Sequence, residues 1–291
     1  MPNSSPEAFH RTVREEYENQ NRLMSFDEYL SLVRAEPASQ VRSSAQYMVD
    51  MMDSFGREGK RFKVFDQDFV DSRFKLVGQE AVQDHIYQIL RSFIREGINN
   101  KLILLHGPNG SAKTSIVSCL MRGLEEYSQR PSGAVYRFHW IFPADRFGKQ
   151  GLGFGGAGAH REDDYTSFAK LGDADIAARI SCELRDHPLF LLPLKQRQAF
   201  LKELKLPEDF ILSEYVQKGD LSQKGKKIFE ALLRAYKGDI RKVLQHVQVE
   251  RFYISKRYRD GAVTIEPQMH VDATAQQVTM DRSVTMLPSS L

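Results

Sequence analysis

Eight consecutive residues constrain this chain more than any other feature: Gly107-Pro108-Asn109-Gly110-Ser111-Ala112-Lys113-Thr114. Before them stands a short apolar run, Leu102-Ile103-Leu104-Leu105. After them, Lys113 to Tyr127 carries Val117, Leu120, Met121 and Leu124 at helical spacing. An apolar run of that length between turn residues predicts a strand buried on both faces of a parallel sheet. The eight residues fit the spacing G-x-x-x-x-G-K-[ST], and each position has a physical reason. Glycines let main-chain amides come close to an anion. A helix starting near Lys113 adds partial positive charge at its N-terminus. The Lys113 ammonium suits β- and γ-phosphates, and the Thr114 hydroxyl suits Mg²⁺. Ala112 departs from the pattern, which asks for glycine there. Its methyl group is tolerable at negative φ and costly at positive φ. The competing reading is an ordinary strand–turn–helix junction.

The flanking text is mostly helical. Ser25-Phe26-Asp27-Glu28 has the form of a capping box, with Tyr29, Leu30 and Val33 on one face and Pro37 as a stop. Val41, Ala45, Met48, Val49 and Met52 mark a second helix that Gly56 and Gly59 terminate. Residues 60–74 read as a strand or connector. Gly78 to Glu96 reads as a helix with Gly97 as its C-cap. Val135 to Phe142 is the next strand, and residues 145–164 form a glycine-rich loop. Helices are expected over 176–185, 196–204, 208–216 and 223–236, and strand-like text over 247–265 with a turn at Asp260-Gly261. Helix, strand, loop, helix, strand predicts an α/β fold.

Composition excludes several classes. Lys plus Arg is 41 against 38 Asp plus Glu, a net charge of +3 that favours neither nucleic acid nor membrane as partner. The two cysteines, Cys119 and Cys182, form neither a disulfide framework nor a zinc site, which fits a reducing, cytoplasmic setting. The first twenty residues lack the apolar stretch of a signal peptide, and no run is long enough to span a membrane. The eight histidines show no ligand spacing.

Three segments together resemble the AAA domain of the PrkA serine protein kinase family. Phe26-Asp27-Glu28-Tyr29-Leu30 is similar to the family's N-terminal helix, and Phe74-Lys75-Leu76-Val77-Gly78-Gln79-Glu80 to the AAA+ element ahead of the P-loop. Val247 to Ala273, VQVERFYISKRYRDGAVTIEPQMHVDA, is close to a family signature. The resemblance covers residues 20–291. It implies an AAA+ P-loop NTPase: an α/β αβα sandwich with a parallel sheet, an N-terminal helical region at 1–73, and an ATP-binding domain at 74–291 with a helical insertion near 173–246. It implies ATP and Mg²⁺ as cofactors, adenine contacts at Val77 and Gly78, a protein substrate, a stress-response role and a homo-oligomeric ring. Family members continue past the point matching Leu291 into a further domain, so the chain reads as a fragment. The acidic strand that completes an ATPase site is not evident in it.

Other motifs carry less. Gly151, Gly153 and Gly156 match G-x-G-x-x-G, but no DFG triplet follows and His160-Arg161-Glu162 is not a catalytic loop. Residues 220–260 hold eleven Lys/Arg against five Asp/Glu, with Phe252, Tyr253 and Tyr258 interleaved. That is either a solvated basic face or a nucleic-acid surface, and its arginines are also candidate phosphate sensors. The expectation is an ATP-binding module of a PrkA-type serine kinase. The alternative is a nucleotide-gated scaffold, or a remodelling or proteolytic protein without kinase activity.

Overall fold

The computed structural model describes residues 23–67, 76–99, 101–144, 167–182 and 184–262. Strand β1 (Leu23–Ser25) runs directly into helix α1 (Phe26–Ala35). The capping box forms as its residues dictate: Glu28 N–H donates to Ser25 Oγ at 3.2 Å, and Ser25 N–H donates to Glu28 Oε2 at 2.8 Å. Pro37 ends α1 but opens a single turn, α2 (Pro37–Gln40), because a first-turn proline lacks only an amide that had no partner. Helix α3 (Ser44–Phe55) is capped by the Ser43 hydroxyl and stops at Gly56, whose φ is +83°. A small hairpin, β2 (Arg57–Glu58) and β3 (Arg61–Phe62), leads towards α4 (Glu80–Glu96), which ends at left-handed Gly97. Helix α5 spans Lys113–Gln129.

The second half supplies β4 (Val135–Pro143), β5 (Ile176–Ser181), α6 (Leu194–Glu203), α7 (Glu214–Lys218), α8 (Gln223–Ala235), α9 (Ile240–Gln245) and β6 (Val247–Phe252). Two apolar clusters result. One joins α1, the sheet and α8 around Phe26, Tyr29, Trp140, Val247 and Val249. The other joins α3, α4 and α5 around Met51, Met52, Leu90, Ile116 and Leu124.

The sheet corrects the expected fold class. Its order is β1-β6-β4-β5, and every pairing in it is antiparallel. The parallel-sheet αβα sandwich of a P-loop NTPase is therefore not the architecture of these residues. Two local misreadings explain the difference. Leu102–Leu105 forms no strand: Leu102 and Leu104 are 87% and 78% exposed, while Ile103 and Leu105 pack on the helical cluster. A continuous apolar run states what is hydrophobic, not which neighbours will cover it. Residues 176–181, read as helical, form β5, where Ile180 is buried between exposed Arg179 and Ser181. The period of two was present in Ile176, Ala178 and Ile180. The helix expected over 208–216 is confined to α7, which starts at a Ser213 cap. The glycine-rich segment 145–164 lies outside the described residues, as does all of the signature beyond Ala262.

Sheet and helical cluster are tied at the C-terminus of α5. The buried Arg251 guanidinium on β6 donates to the carbonyls of Ser128, Gln129 and Arg130 at 3.0, 3.1 and 3.0 Å. A cation at a helix C-terminus is favoured by the dipole as well as by the orphan carbonyls. Ile254 N–H adds a bond to Ser128 Oγ, and Lys256 N–H one to Glu125 Oε1. Gly133 completes the turn after α5, since a Cβ there would meet Tyr127 O at 1.8 Å. Among the described residues, no helix is long and apolar enough to cross a membrane.

Two outcomes test this packing. Trp140 is 1% exposed and stacks edge-on against Phe138 and Phe229. Trp140→Ala should cost about 3–5 kcal/mol in urea unfolding, and a loss below about 1 kcal/mol would contradict its place in the core. The second outcome concerns pH. Burial pushes the His187 imidazole down to about 4, against a hydrogen bond to Gln40 O that favours the charged form. Burial also lowers His246, and Glu250 is lowered chiefly by its bond to His139. All three bind fewer protons when folded, so stability is greatest near neutrality and falls on acidification. The histidine contribution disappears as pH drops from about 6.5 to 4, and the Glu250 contribution at lower pH. Chemical denaturation from pH 7.5 to 4 should show this slope, reduced in His187→Gln.

Candidate functional site

The motif residues form one continuous feature at the start of α5. The turn is closed by Ser111 N–H donating to Pro108 O at 3.3 Å, with the Ser111 hydroxyl donating to the same oxygen at 2.8 Å. Gly110 has φ +82°, a conformation open to glycine at little cost. Gly107 allows a close approach: a Cβ there would meet Ser111 Oγ at 2.8 Å. Asn109 and Pro108 are exposed at the tip.

Ala112 is the N-cap of α5 and adopts φ +61°, ψ +16°. This is the conformation in which its methyl group is unfavourable, by about 1–2 kcal/mol. No side chain caps the helix. The amides of the first turn therefore lack an intrahelical acceptor and point out of the helix end, where a phosphate can accept them. Lys113 folds back over the turn. Its Nζ donates to Gly107 O at 2.8 Å, Pro108 O at 2.7 Å and Ser111 Oγ at 3.0 Å. The ammonium is thus held beside the amide cradle. Thr114 follows on the first turn with an exposed side chain, the hydroxyl a hard cation would need. The donor set fits a polyphosphate: main chain opened by two glycines, one ammonium and one hydroxyl.

Val77 and Gly78 stand ahead of α4. Gly78 has φ +76° and the following Gln79 has φ +65°. The fully buried Gln83 side chain pins this turn: its Nε2 donates to Gly78 O at 3.1 Å, and its Oε1 accepts Phe62 N–H at 3.1 Å. Arg61 adds a bond to Leu76 O and ion pairs with Asp66 and Glu80. Val77 is 86% exposed. Leu76 and Ala112 pack into the same helical cluster, so both turns are anchored to one core.

The basic segment 220–260 does not act as one surface. Arg251 is spent on the carbonyls after α5, and Lys226 pairs with Asp220. Arg42, which no sequence pattern singled out, is buried between the clusters. It donates to Asp50, Tyr127 and Ser132 and lies over the Tyr47 ring at 4.6 Å. It lines two adjoining cavities of about 690 and 360 Å³ that share Ser43, Ser44, His187 and Tyr215. Its partners are up to 90 residues distant, so no local period could reveal it. Cys119 and Cys182 carry free thiols, and burial raises both above the ordinary thiol range. Among the described residues, no cluster of three His, Cys, Asp or Glu could hold a metal ion.

The chain matches no known protein family, no curated protein and no solved structure.

The strain at Ala112 is measurable. Ala112→Gly removes the left-handed penalty but loosens the unfolded chain, so a net gain of about 1 kcal/mol is expected. Thermal or urea unfolding at pH 7 checks it, and destabilisation by the glycine would contradict the φ assigned here.

Proposed function

We propose that this chain binds ATP with Mg²⁺ at Gly107–Thr114. The observation that carries the reading is the combination at the start of α5: an uncapped helix end, two glycine turns and a lysine ammonium folded over them. In this reading the first-turn amides and the Lys113 ammonium hold the β- and γ-phosphates, and the Thr114 hydroxyl contributes to the cation. Val77 and Gly78 would face the adenine. The reading rests on the turn and its charges, and owes nothing to a parallel sheet.

The resemblance of the sequence to the PrkA serine kinases supports a wider role. The chain would be a cytoplasmic, ring-forming ATP module that couples nucleotide to action on a protein substrate under stress. A second reading is favoured by the state of Lys113. Its ammonium already has three oxygen partners within the chain. Phosphate binding must exchange these bonds, which makes the turn a two-state element. A nucleotide-gated scaffold needs only that exchange.

Titration calorimetry with Mg·ATP separates the outcomes. Saturable binding is expected in the parent chain, weakened at least tenfold in Lys113→Ala through loss of about 1.4 kcal/mol or more. Absence of heat at millimolar ligand in a folded sample would remove the proposal. Transfer of labelled γ-phosphate to serine on a protein, measured in the same samples, distinguishes a kinase from a scaffold.

A further inference from the structure

A second group of reactive side chains lies across the sheet, on the face turned away from Phe138, Trp140, Val247 and Val249. Alternation along β4 and β6 sends His139 and Glu250 to that face. The antiparallel register sets Ser181 of β5 directly opposite His139. Ser181 Oγ is 3.0 Å from His139 Nδ1, and His139 Nε2 is 2.6 Å from Glu250 Oε2. The histidine is 3% exposed, Glu250 is half-buried, and Ser181 is exposed on the edge strand.

The tautomer follows from the partners. Glu250 Oε2 also accepts Arg137 Nε and Nη2 at 3.2 and 3.1 Å, and the His139 bond first, with Arg137 beside it, holds the carboxyl below its usual range. An ionised carboxylate only accepts, so His139 Nε2 must carry the hydrogen. In the neutral ring Nδ1 is then the acceptor that faces the Ser181 hydroxyl. A hydroxyl hydrogen-bonded to a neutral imidazole, whose other nitrogen is held by a carboxylate, is the arrangement that activates a nucleophile. A cavity of about 200 Å³ lined by Trp140, Cys182, Leu184 and Ile228 lies on the opposite, apolar face of the sheet, and neither His139 nor Glu250 lines it, so a substrate would reach the Ser181 hydroxyl from its exposed side on the edge strand.

We propose that Ser181 is a nucleophile towards small, activated acyl esters, with His139 as its general base and Glu250 as a positioning residue. Ser181 Oγ attacks the ester carbonyl carbon, and its proton passes to His139 Nδ1. The tetrahedral adduct collapses, the bond to the alkoxide breaks, and the alkoxide takes the proton from His139 and leaves as the alcohol. Water then attacks the acyl-serine, again losing a proton to His139, and the returned proton restores the Ser181 hydroxyl as the carboxylic acid departs. Ester and water give acid and alcohol, with no cofactor. The site is separate from Gly107–Thr114 and does not depend on nucleotide binding.

The test is labelling of the full chain with an alkyl fluorophosphonate, which forms an Oγ–P bond as fluoride leaves. Peptide mapping should place the adduct on Ser181, with none in urea-denatured chain. Ser181→Ala, an exposed change, should abolish it together with turnover of p-nitrophenyl acetate. His139→Gln should slow labelling about 100-fold or more, the usual contribution of a general base. Histidine ¹⁵N shifts should show protonated Nε2 and bare Nδ1 at His139, and a mixture in Glu250→Gln with slower labelling. An unlabelled Ser181 in the folded chain, equal labelling in His139→Gln or in urea, or undiminished ester turnover in Ser181→Ala would each overturn the proposal. An unchanged tautomer and rate in Glu250→Gln would overturn the role given to Glu250.

Discussion

The Arg251 guanidinium holds the two halves of this protein in register. It leaves β6 and its Nη2 reaches three carbonyls at the end of α5, so the sheet grips the helix at one end while the Gly107–Ala112 turn opens at the other. All three carbonyls are reached by Nη2 alone, whose two hydrogens share them in a bifurcated, charge-assisted set. Around it, Ile254 N–H, Lys256 N–H, Arg42 and Tyr47 add bonds to the same stretch, residues 125–133. Lys113 is therefore mounted on a rod fixed at its far end. The turn itself carries the strain, in a left-handed alanine.

The sheet has two unlike faces. One is apolar and closes over α1 and α8. The other carries Arg137, His139, Ser181, Gln248 and Glu250, joined by hydrogen bonds instead of by burial of carbon. In a sheet buried on both sides such a set would need full compensation. Here His139 is satisfied at both nitrogens and Gln248 donates from Nε2 to Ala169 O, while its buried Oε1 is left without a partner. The compensation on this face is nearly complete, and the same polar order sets the Ser181 hydroxyl beside His139.

Legibility divided along the same lines. The Ser25–Glu28 box, the glycine stops at 56 and 97, and the start of α5 at Lys113 were readable, because each rests on partners within four residues. The sheet was misread. Leu102–Leu105 looked like a buried strand, yet alternate leucines face solvent. Residues 176–181 looked helical because alanine and arginine suit a helix, and the alternation that decided the matter was carried by only three residues. Local propensity lost to pairing with β4.

Sequence by itself determined the chemistry of the turn: two glycines, an alanine where a third glycine is usual, a lysine and a threonine, in an order that only a helix start can use. It also determined the caps, since a hydroxyl and a carboxylate three residues apart need nothing else. Tertiary structure alone decided the antiparallel sheet, the burial of Arg42 and Arg251, and the meeting of Ser181, His139 and Glu250 across separations of 42 and 111 residues. The reason is the range of the forces involved. Caps close within one turn of chain, whereas strand pairing must first offset the entropy of closing long loops, and many pairings compete for that gain.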